Sequence, residues 1–595
     1  MAALKVAALP LFHGHGHTRS SPGLPDTTAA VGHALHALPV LFAAAVSRRA
    51  LMGLPALSAD HAGGLRRVAV NVWRNHALEP LLPALEAYAA FGRWQPVWHF
   101  GPYDDSLSLM PALAAALELV WLDRSRVRLD RDAGGGFVDW LGMRLRSLRE
   151  QSASPIVLCT WADGEAESRA LAALVAGLPG VHWADMAAAC AEARTPLLDR
   201  RAASLAGTPV SASAQLLLAR ELACRWLPGA VLPPIKALAL DLDHTLHAGV
   251  LGEDGADGVQ LTPAHASLQR MIRGLRERGV FLALVSRNEP ADVRALFEQR
   301  SDYPLRWDDF SATEVSWGDK AGAIARIALQ LRIAPEAVLY VDDNPGELLA
   351  VATGLPAVHQ VPAAADAAVT ERAVAHYPGL WRWAAGSDDA KRVVDLAMNA
   401  ERERLAMEHK RHAGHTDPEA YFRELQVCLN IRVDDRSLLP RLGELARKTN
   451  QFNLSLSRMP ESTMAERMVD PAAGVAAVSL SDRLADSGVV AVVVARREGG
   501  SLLVEELSIS CRAMGRRMED ATVLNALRAM PIFAGCEQLV FEVAEGPRNT
   551  PARDWLAALL HLQSPLPAGR HALAAARVHE FAAPAAITIE CPGRS

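Results

Sequence analysis

Apolar positions recur along this chain in two alternating rhythms. Short, nearly uniform apolar runs mark strands buried on both faces. Between them, apolar residues fall three and four apart, as they do on one face of a helix. The runs RRVAVNVW (66–73), QPVWHF (95–100), SPIVLCTW (154–161) and GVHWAD (180–185) predict strands, and EPLLPALEAYAAFG (79–92) predicts a helix closing on Gly92. Residues 63–230 are therefore expected to form an N-terminal α/β domain with a mostly parallel sheet. Residues 1–62 carry neither rhythm and are expected to be an irregular, poorly ordered arm. Its His13, His15 and His17 read as a flexible tail.

Pro233-Pro234 breaks the pattern, and a second α/β unit is predicted over 231–375. Its strands are ALAL (237–240), VFLALVS (280–286) and AVLYV (337–341). One predicted helix puts Leu268, Met271, Ile272 and Leu275 on a single face, and another runs over KAGAIARIALQL (320–331). From 376 to 420 the chain turns to Arg, Glu, His, Lys and Ala, which predicts a solvated helical linker. Residues 421–595 change order again. CLNIRV (428–433) and EQLVFEV (537–543) predict strands, residues 488–510 a hairpin turning at Glu498-Gly499-Gly500, and MEDATVLNALRAM (518–530) a helix. This third domain reads as α+β.

Composition narrows the partners. Half of the 595 residues are hydrophobic and 22% are charged, the profile of a globular protein. A net charge of −6 argues against a basic nucleic-acid surface. Seven cysteines lie far apart without a CxxC pair, which argues against a structural zinc site or a dense disulfide framework and fits a reducing cytoplasm. The apolar run at 39–46 is too short to span a membrane. A cytoplasmic protein without nucleic-acid or membrane partners is expected.

The second unit holds the chemistry. DLDHTLHAGVLGEDG (241–255) follows ALAL directly, so Asp241 and Asp243 stand at the carboxyl end of a buried strand, where open α/β sheets place ligands. The next predicted strand ends on Ser286, Lys320 opens a helix, and the third strand runs into Asp342-Asp343-Asn344-Pro345. If these strands are neighbours, four carboxylates, a Ser, a Thr and a Lys converge on one edge. Carboxylates so crowded need a cation to stay ionised, and Mg²⁺, a hard ion that pairs with phosphate, is the natural one. Such an assembly suits phosphoryl chemistry.

These residues resemble the haloacid dehalogenase (HAD) superfamily. The likeness implies that Asp241 is a nucleophile, Asp243 a general acid/base, and Lys320 a bridge between nucleophile and phosphate. Thr245 and Ser286 would hold phosphate oxygens, with Arg287, Asn288, His244 and His247 lining the substrate side. Asp241, Asp342, Asp343 and the main chain of Asp243 would hold Mg²⁺. More narrowly, LALVSRNEP (282–290), WGDK (317–320), VDDNPGE (341–347), ARKTNQFNLS (446–455), SISCRAMGRRMED (508–520) and PRNTPARDWL (547–556) resemble FkbH-like proteins. VNVWRNHALEPLLPALEAY (70–88) and GTPVSASAQLLLAR (207–220) extend the likeness into the first domain.

That resemblance implies an enzyme of polyketide or related biosynthesis. It would dephosphorylate a small acyl phosphate of the 1,3-bisphosphoglycerate type and load the acyl group onto the phosphopantetheine thiol of an acyl carrier protein. The third domain would have an acetyltransferase (GNAT) fold. Lys448, Asn450, Gln451, Cys511, Arg512, Gly515, Arg516 and Asn549 match its motifs and are expected at a pantetheine or acyl site, with 512–517 opening a helix. Carrier docking is assigned to the first domain.

The chain departs from the family at three places. His244 stands where the family has Asn, His247-Ala248 where it has Trp-Gly, and Val285 where glyceryl-loading members carry a Cys. Valine cannot form a thioester. Three readings follow: direct transfer to the carrier, use of another thiol such as Cys511, or a different substrate. The alternatives to carrier loading are a phosphatase, a loader of another hydroxy acid, and a non-catalytic carrier adaptor.

Overall fold

A computed structural model describes residues 27–55, 64–109, 113–127, 136–199, 201, 207–383, 387–413, 418–514 and 516–592. The expected His13/His15/His17 tail and Gly515 lie outside them. The first sheet is parallel throughout. It comprises β1 (Arg66–Arg74), β2 (Trp94–Tyr103), β3 (Leu117–Trp121), β4 (Ile156–Thr160) and β5 (Val181–Asp185), in the order β2-β1-β3-β4-β5.

The second sheet is also parallel. Its strands are β6 (Ala237–Leu240), β7 (Phe281–Ser286), β8 (Ala312–Val315), β9 (Val338–Asp342) and β10 (His359–Pro362), in the order β10-β9-β6-β7-β8. Every residue of β6, β7 and β9 is buried, which is why these strands read as unbroken apolar runs. The chain leaves β6 toward β7 and β8, then crosses back to β9 on the other flank. A crevice opens at that reversal, outside the carboxyl ends of β6 and β9.

The third sheet is mixed and seven-stranded. Its members are β11 (Cys428–Val433), β12 (Ala473–Ser481), β13 (Asp486–Glu498), β14 (Ser501–Ile509), β15 (Gln538–Val543), β16 (Gly569–Ala574) and β17 (Thr588–Glu590), in the order β16-β15-β14-β13-β12-β11-β17. The β13–β14 hairpin closes with Glu498 opposite Ser501, and Gly499 supplies the left-handed residue at φ 62°. Beyond the paired part of β14 and β15, residues 452–454 lie between their carboxyl ends: Leu454 N–H donates to Leu507 O at 3.3 Å, and Ala544 N–H to Leu454 O at 2.8 Å. No helix among the described residues is long and apolar enough to cross a membrane.

Two expectations change. Thr27–Leu41, inside the expected irregular arm, is a helix despite Gly32 and Pro39. Its Leu38, Leu41 and Phe42 are almost fully buried in a core shared by the first two sheets, and Tyr88 Oη donates to Leu41 O at 2.8 Å. Tertiary burial overrides the poor local propensity.

The expected solvated linker is helical and only partly solvated. Its helices Ser387–Ala397 and Asn399–Ala413 bury Arg392, Asp395 and Arg402. Arg402 donates to Asp395 at 3.0 Å and to Asp482 at 2.8 Å, Arg516 donates to both Asp395 oxygens at 3.0 Å, and Ser487 Oγ donates to Asp395 at 2.7 Å. Charges that looked like a wet surface satisfy one another across a seam.

Candidate active site

β6 delivers Asp241 to the crevice, its N–H held by Val341 O of β9 at 2.9 Å. Lys320 opens the helix Lys320–Gln330. That helix starts there because the Asp319 carboxylate accepts the N–H groups of Ala321 (3.2 Å) and Gly322 (2.6 Å). The Lys320 ammonium donates to Asp241 Oδ1 at 2.8 Å and to Asp342 Oδ2 at 2.6 Å. Asp342 is fully buried. It also accepts the Asn344 N–H at 2.7 Å and the Tyr340 hydroxyl. Oxygens of Asp241, Asp342 and the half-buried Asp343 lie within 4.8 Å of one another, a set that could hold a hard divalent cation.

Burial pushes the Asp241 carboxyl well above its ordinary range. Lys320 opposes that shift and Asp342 adds to it. Asp343 is raised by burial and then by Asp342. Burial alone would lower Lys320, but Asp241 and Asp342 outweigh it and keep the ammonium charged.

The Asp243 carboxylate points away from this trio. Its Oδ2 accepts Asn288 Nδ2 at 2.7 Å, and its Oδ1 accepts Leu251 N–H at 2.9 Å and His247 Nε2–H at 3.2 Å. Burial would raise its pKa; these hydrogen bonds from His247, Leu251 and Asn288 hold it below the usual carboxylate range. Asn288 also donates to Ser286 Oγ at 3.0 Å. The Thr245 hydroxyl is buried with no hydrogen-bond partner among the described residues. An orphaned donor two residues beyond the carboxylate loop fits a phosphoryl oxygen.

Of the other expected substrate contacts, two are engaged with other side chains of the protein and one stands exposed. His247 is wholly buried behind Asp243, its Nδ1 accepting the Tyr303 hydroxyl at 3.1 Å, so it orients a carboxylate and does not touch substrate. Arg287, about half exposed, pairs with Glu347 at 2.9 Å. His244 is exposed at the mouth with φ 53°, a left-handed position that Asn, the family's residue, also adopts readily. Val285 is 1% exposed in the apolar core with Ile324 and Tyr340, so even its position is sealed. Sequence reasoning missed Tyr340. It is the one polar side chain that precedes Asp342 in that strand and lies two before it, hence on the same face.

In the third domain, Lys448, Asn450, Gln451, Cys511 and Arg512 share one cleft. Asn549 does not join them. It is fully buried, donating to Asn453 O at 3.0 Å and Ala544 O at 2.8 Å, and so clasps the segment between β14 and β15. Arg516 is spent on Asp395 and Asp482. The helix expected to open at 512 begins at Glu519, and residues 511–514 form a turn.

No family model and no curated protein matches the chain. Two solved structures are similar to parts of it. The N-terminal part of the protein BF1531 from Bacteroides fragilis, described as containing a phosphatase domain complexed with Mg, is 18% identical over 58% of this chain and 99% of its own, with a TM-score of 0.42. A spermidine N-acetyltransferase from Vibrio cholerae is 13% identical over 26% of this chain and 96% of its own, with a TM-score of 0.19. Likenesses this slight carry no weight for function, and the residues themselves must.

Proposed function

We propose that this chain is a Mg²⁺-dependent, HAD-type phosphoryl-transfer enzyme that acts on a small phosphorylated acyl donor. The observation that carries this reading is the buried Asp241–Lys320–Asp342 bridge at the reversal of the second sheet. The three clustered carboxylates are the all-oxygen donor set that Mg²⁺ takes, and Asp241, Asp342 and Asp343 would hold it. When bound, the ion supplies positive charge against the phosphoryl oxygens.

The chain does the rest. Lys320 favours the ionised form of Asp241, whose oxygen attacks phosphorus and displaces the substrate oxygen. Thr245 and Ser286 hydroxyls hold the phosphoryl oxygens. Asp243, fixed by Asn288 and His247, moves the proton to the leaving oxygen and takes one from the water that then releases phosphate.

Following the FkbH-like motifs, the phosphorus attacked is that of the donor's phosphate ester, and the thiolate of an acyl carrier protein then attacks the acyl carbon, which still carries its acyl phosphate, forming the thioester and expelling inorganic phosphate; the transfer is direct because Val285 offers no relay. That same buried Val285 favours a second reading, a phosphatase that releases its product to water. Incubation with Mg²⁺, 1,3-bisphosphoglycerate and carrier protein separates the two: an adduct in the intact mass of the carrier supports loading, phosphate release without one supports the phosphatase. Asp241→Asn should stop phosphate release in either case, and undiminished turnover in that variant removes the nucleophile assignment.

A further inference from the structure

A cavity lies at the amino-terminal edge of the first sheet and shares no residue with the crevice. Ala116, Pro155 and Gly180, which stand immediately before β3, β4 and β5, line it. The third domain closes over this edge. Ser462 Oγ donates to Ala153 O at 2.9 Å, and Arg447, on the helix Leu439–Lys448, donates through Nη1 to Ala230 O at 2.5 Å. The cavity between them measures about 200 Å³. That is room for about six or seven waters, or for an organic molecule of equal bulk.

Apolar side chains, among them Pro155, Val231 and Met459, supply part of the wall, and His182, Arg447, Arg458 and Glu461 supply its polar groups. The His182 ring lies flat against Trp383, with centroids 5.0 Å and planes 8° apart. Burial, aided by Arg447 and Arg149, takes its pKa down to about 3, so the imidazole is neutral and offers one donor and one acceptor. Neither ring nitrogen has a hydrogen-bond partner among the described residues, and neither has Arg447 Nη2. Burial pushes Glu461 above the ordinary glutamate range, against the pull of Arg447. Arg458 donates to Asn450 Oδ1 at 3.0 Å.

Each group restricts what fits. Two guanidiniums against one carboxyl favour an acid, and a guanidinium takes a carboxylate through parallel hydrogen bonds. A neutral imidazole beside a glutamate suits a hydroxyl, which both donates and accepts. The apolar wall takes carbon.

We propose that this cavity binds a short hydroxycarboxylic acid between the first and third domains. Its carboxylate meets Arg447, its hydroxyl meets His182 and Glu461, and its carbon chain lies against Pro155 and Val231. The site is independent of phosphoryl transfer.

The full-length protein in chelator is titrated calorimetrically with glycerate, and separately with propionate, which lacks the hydroxyls, and glycerol, which lacks the carboxylate. Saturable binding of glycerate is expected, at least tenfold tighter than that of either reduced compound. His182→Phe keeps a ring on Trp383 and removes both nitrogens. Ala153→Leu adds bulk to the wall from an exposed position and leaves the core untouched. Each should weaken glycerate at least tenfold. No saturable binding of glycerate, propionate or glycerol binding as tightly as glycerate, or binding indifferent to both substitutions overturns the proposal. The phosphoryl-transfer reading survives that failure, because it is tested by Mg²⁺-dependent phosphate release.

Discussion

Lys320 and Asp241 form an ion pair at 2.8 Å with side chains only 6% and 9% exposed. The same ammonium reaches Asp342, so one cation holds two buried carboxylates together. Removing one partner of such a set leaves charge buried without compensation, at a cost of about 3–5 kcal/mol. Lys320→Met should therefore lose stability of that order in urea unfolding with chelator present. Adding Asp241→Asn to Lys320→Met should restore part of it. Simple addition of the two single losses would contradict the bridge.

His247 acts through Asp243 and not on the substrate. His247→Phe removes the 3.2 Å hydrogen bond to Asp243 Oδ1 and should lower kcat about tenfold, roughly 1.4 kcal/mol, with KM little changed. His247→Gln, which keeps a donor, should recover most of the rate. Equal phosphate-release kinetics in His247→Phe and the parent would show that Asn288 and Leu251 suffice.

Two of the left-handed residues between β6 and β7 differ in character. Gly249 has φ 103°, and a Cβ there would come within 2.6 Å of Asp254 Oδ2, which accepts the Val250 N–H at 2.9 Å. Gly249→Ala should cost about 1–3 kcal/mol and depress turnover. His244→Asn, at φ 53°, should be nearly neutral in stability. Thermal unfolding of the two variants side by side tests the contrast, and an unaltered Gly249→Ala would refute it.

Acid should weaken the first domain through His76. Burial, aided by nearby Arg126, pushes this imidazole from 6.5 down to about 3. Its Nδ1 pairs with Thr208 Oγ1 at 2.8 Å, and its ring stacks on Trp121. The unfolded chain binds a proton below 6.5 that the folded chain refuses until about 3. Stability is thus complete above 6.5 and is lost as the pH falls, by up to about 1.4 kcal/mol per pH unit. From about pH 6.5 to 5 that is roughly 2 kcal/mol. Urea midpoints at about pH 7 and 5 should show it, and His76→Gln should flatten the difference. A variant with the same pH dependence as the parent would exonerate His76.

What was legible in the sequence follows from burial. Strands β6, β7 and β9 are apolar on both faces, so their runs stood out, and the acids at their ends marked the crevice. Strand β8, Ala-Thr-Glu-Val, is mostly half-buried and left no such signature. The helix 27–41 hid behind Gly32 and Pro39 because packing stabilises it and local propensity does not. Lys320, Asp342 and Thr245 could be placed from motif order alone. That Arg287 turns to Glu347, that His247 is sealed, and that Arg516 belongs to a buried seam depend on contacts between segments distant in sequence, which local pattern does not encode.

The helix 387–397 serves two masters. Val393 and Leu396 pack on the apolar core of the second sheet, while Asp395, on the same helix, is held by Arg402, Arg516 and Ser487. Excising the second sheet just after residue 375 would strip a greasy patch from it; cutting after residue 397 would instead leave a lone acid facing water on one fragment and, on the other, two arginines left to share Asp482. Neither piece is a natural unit, and dissecting this protein by truncation will report on damage at the cut before it reports on function.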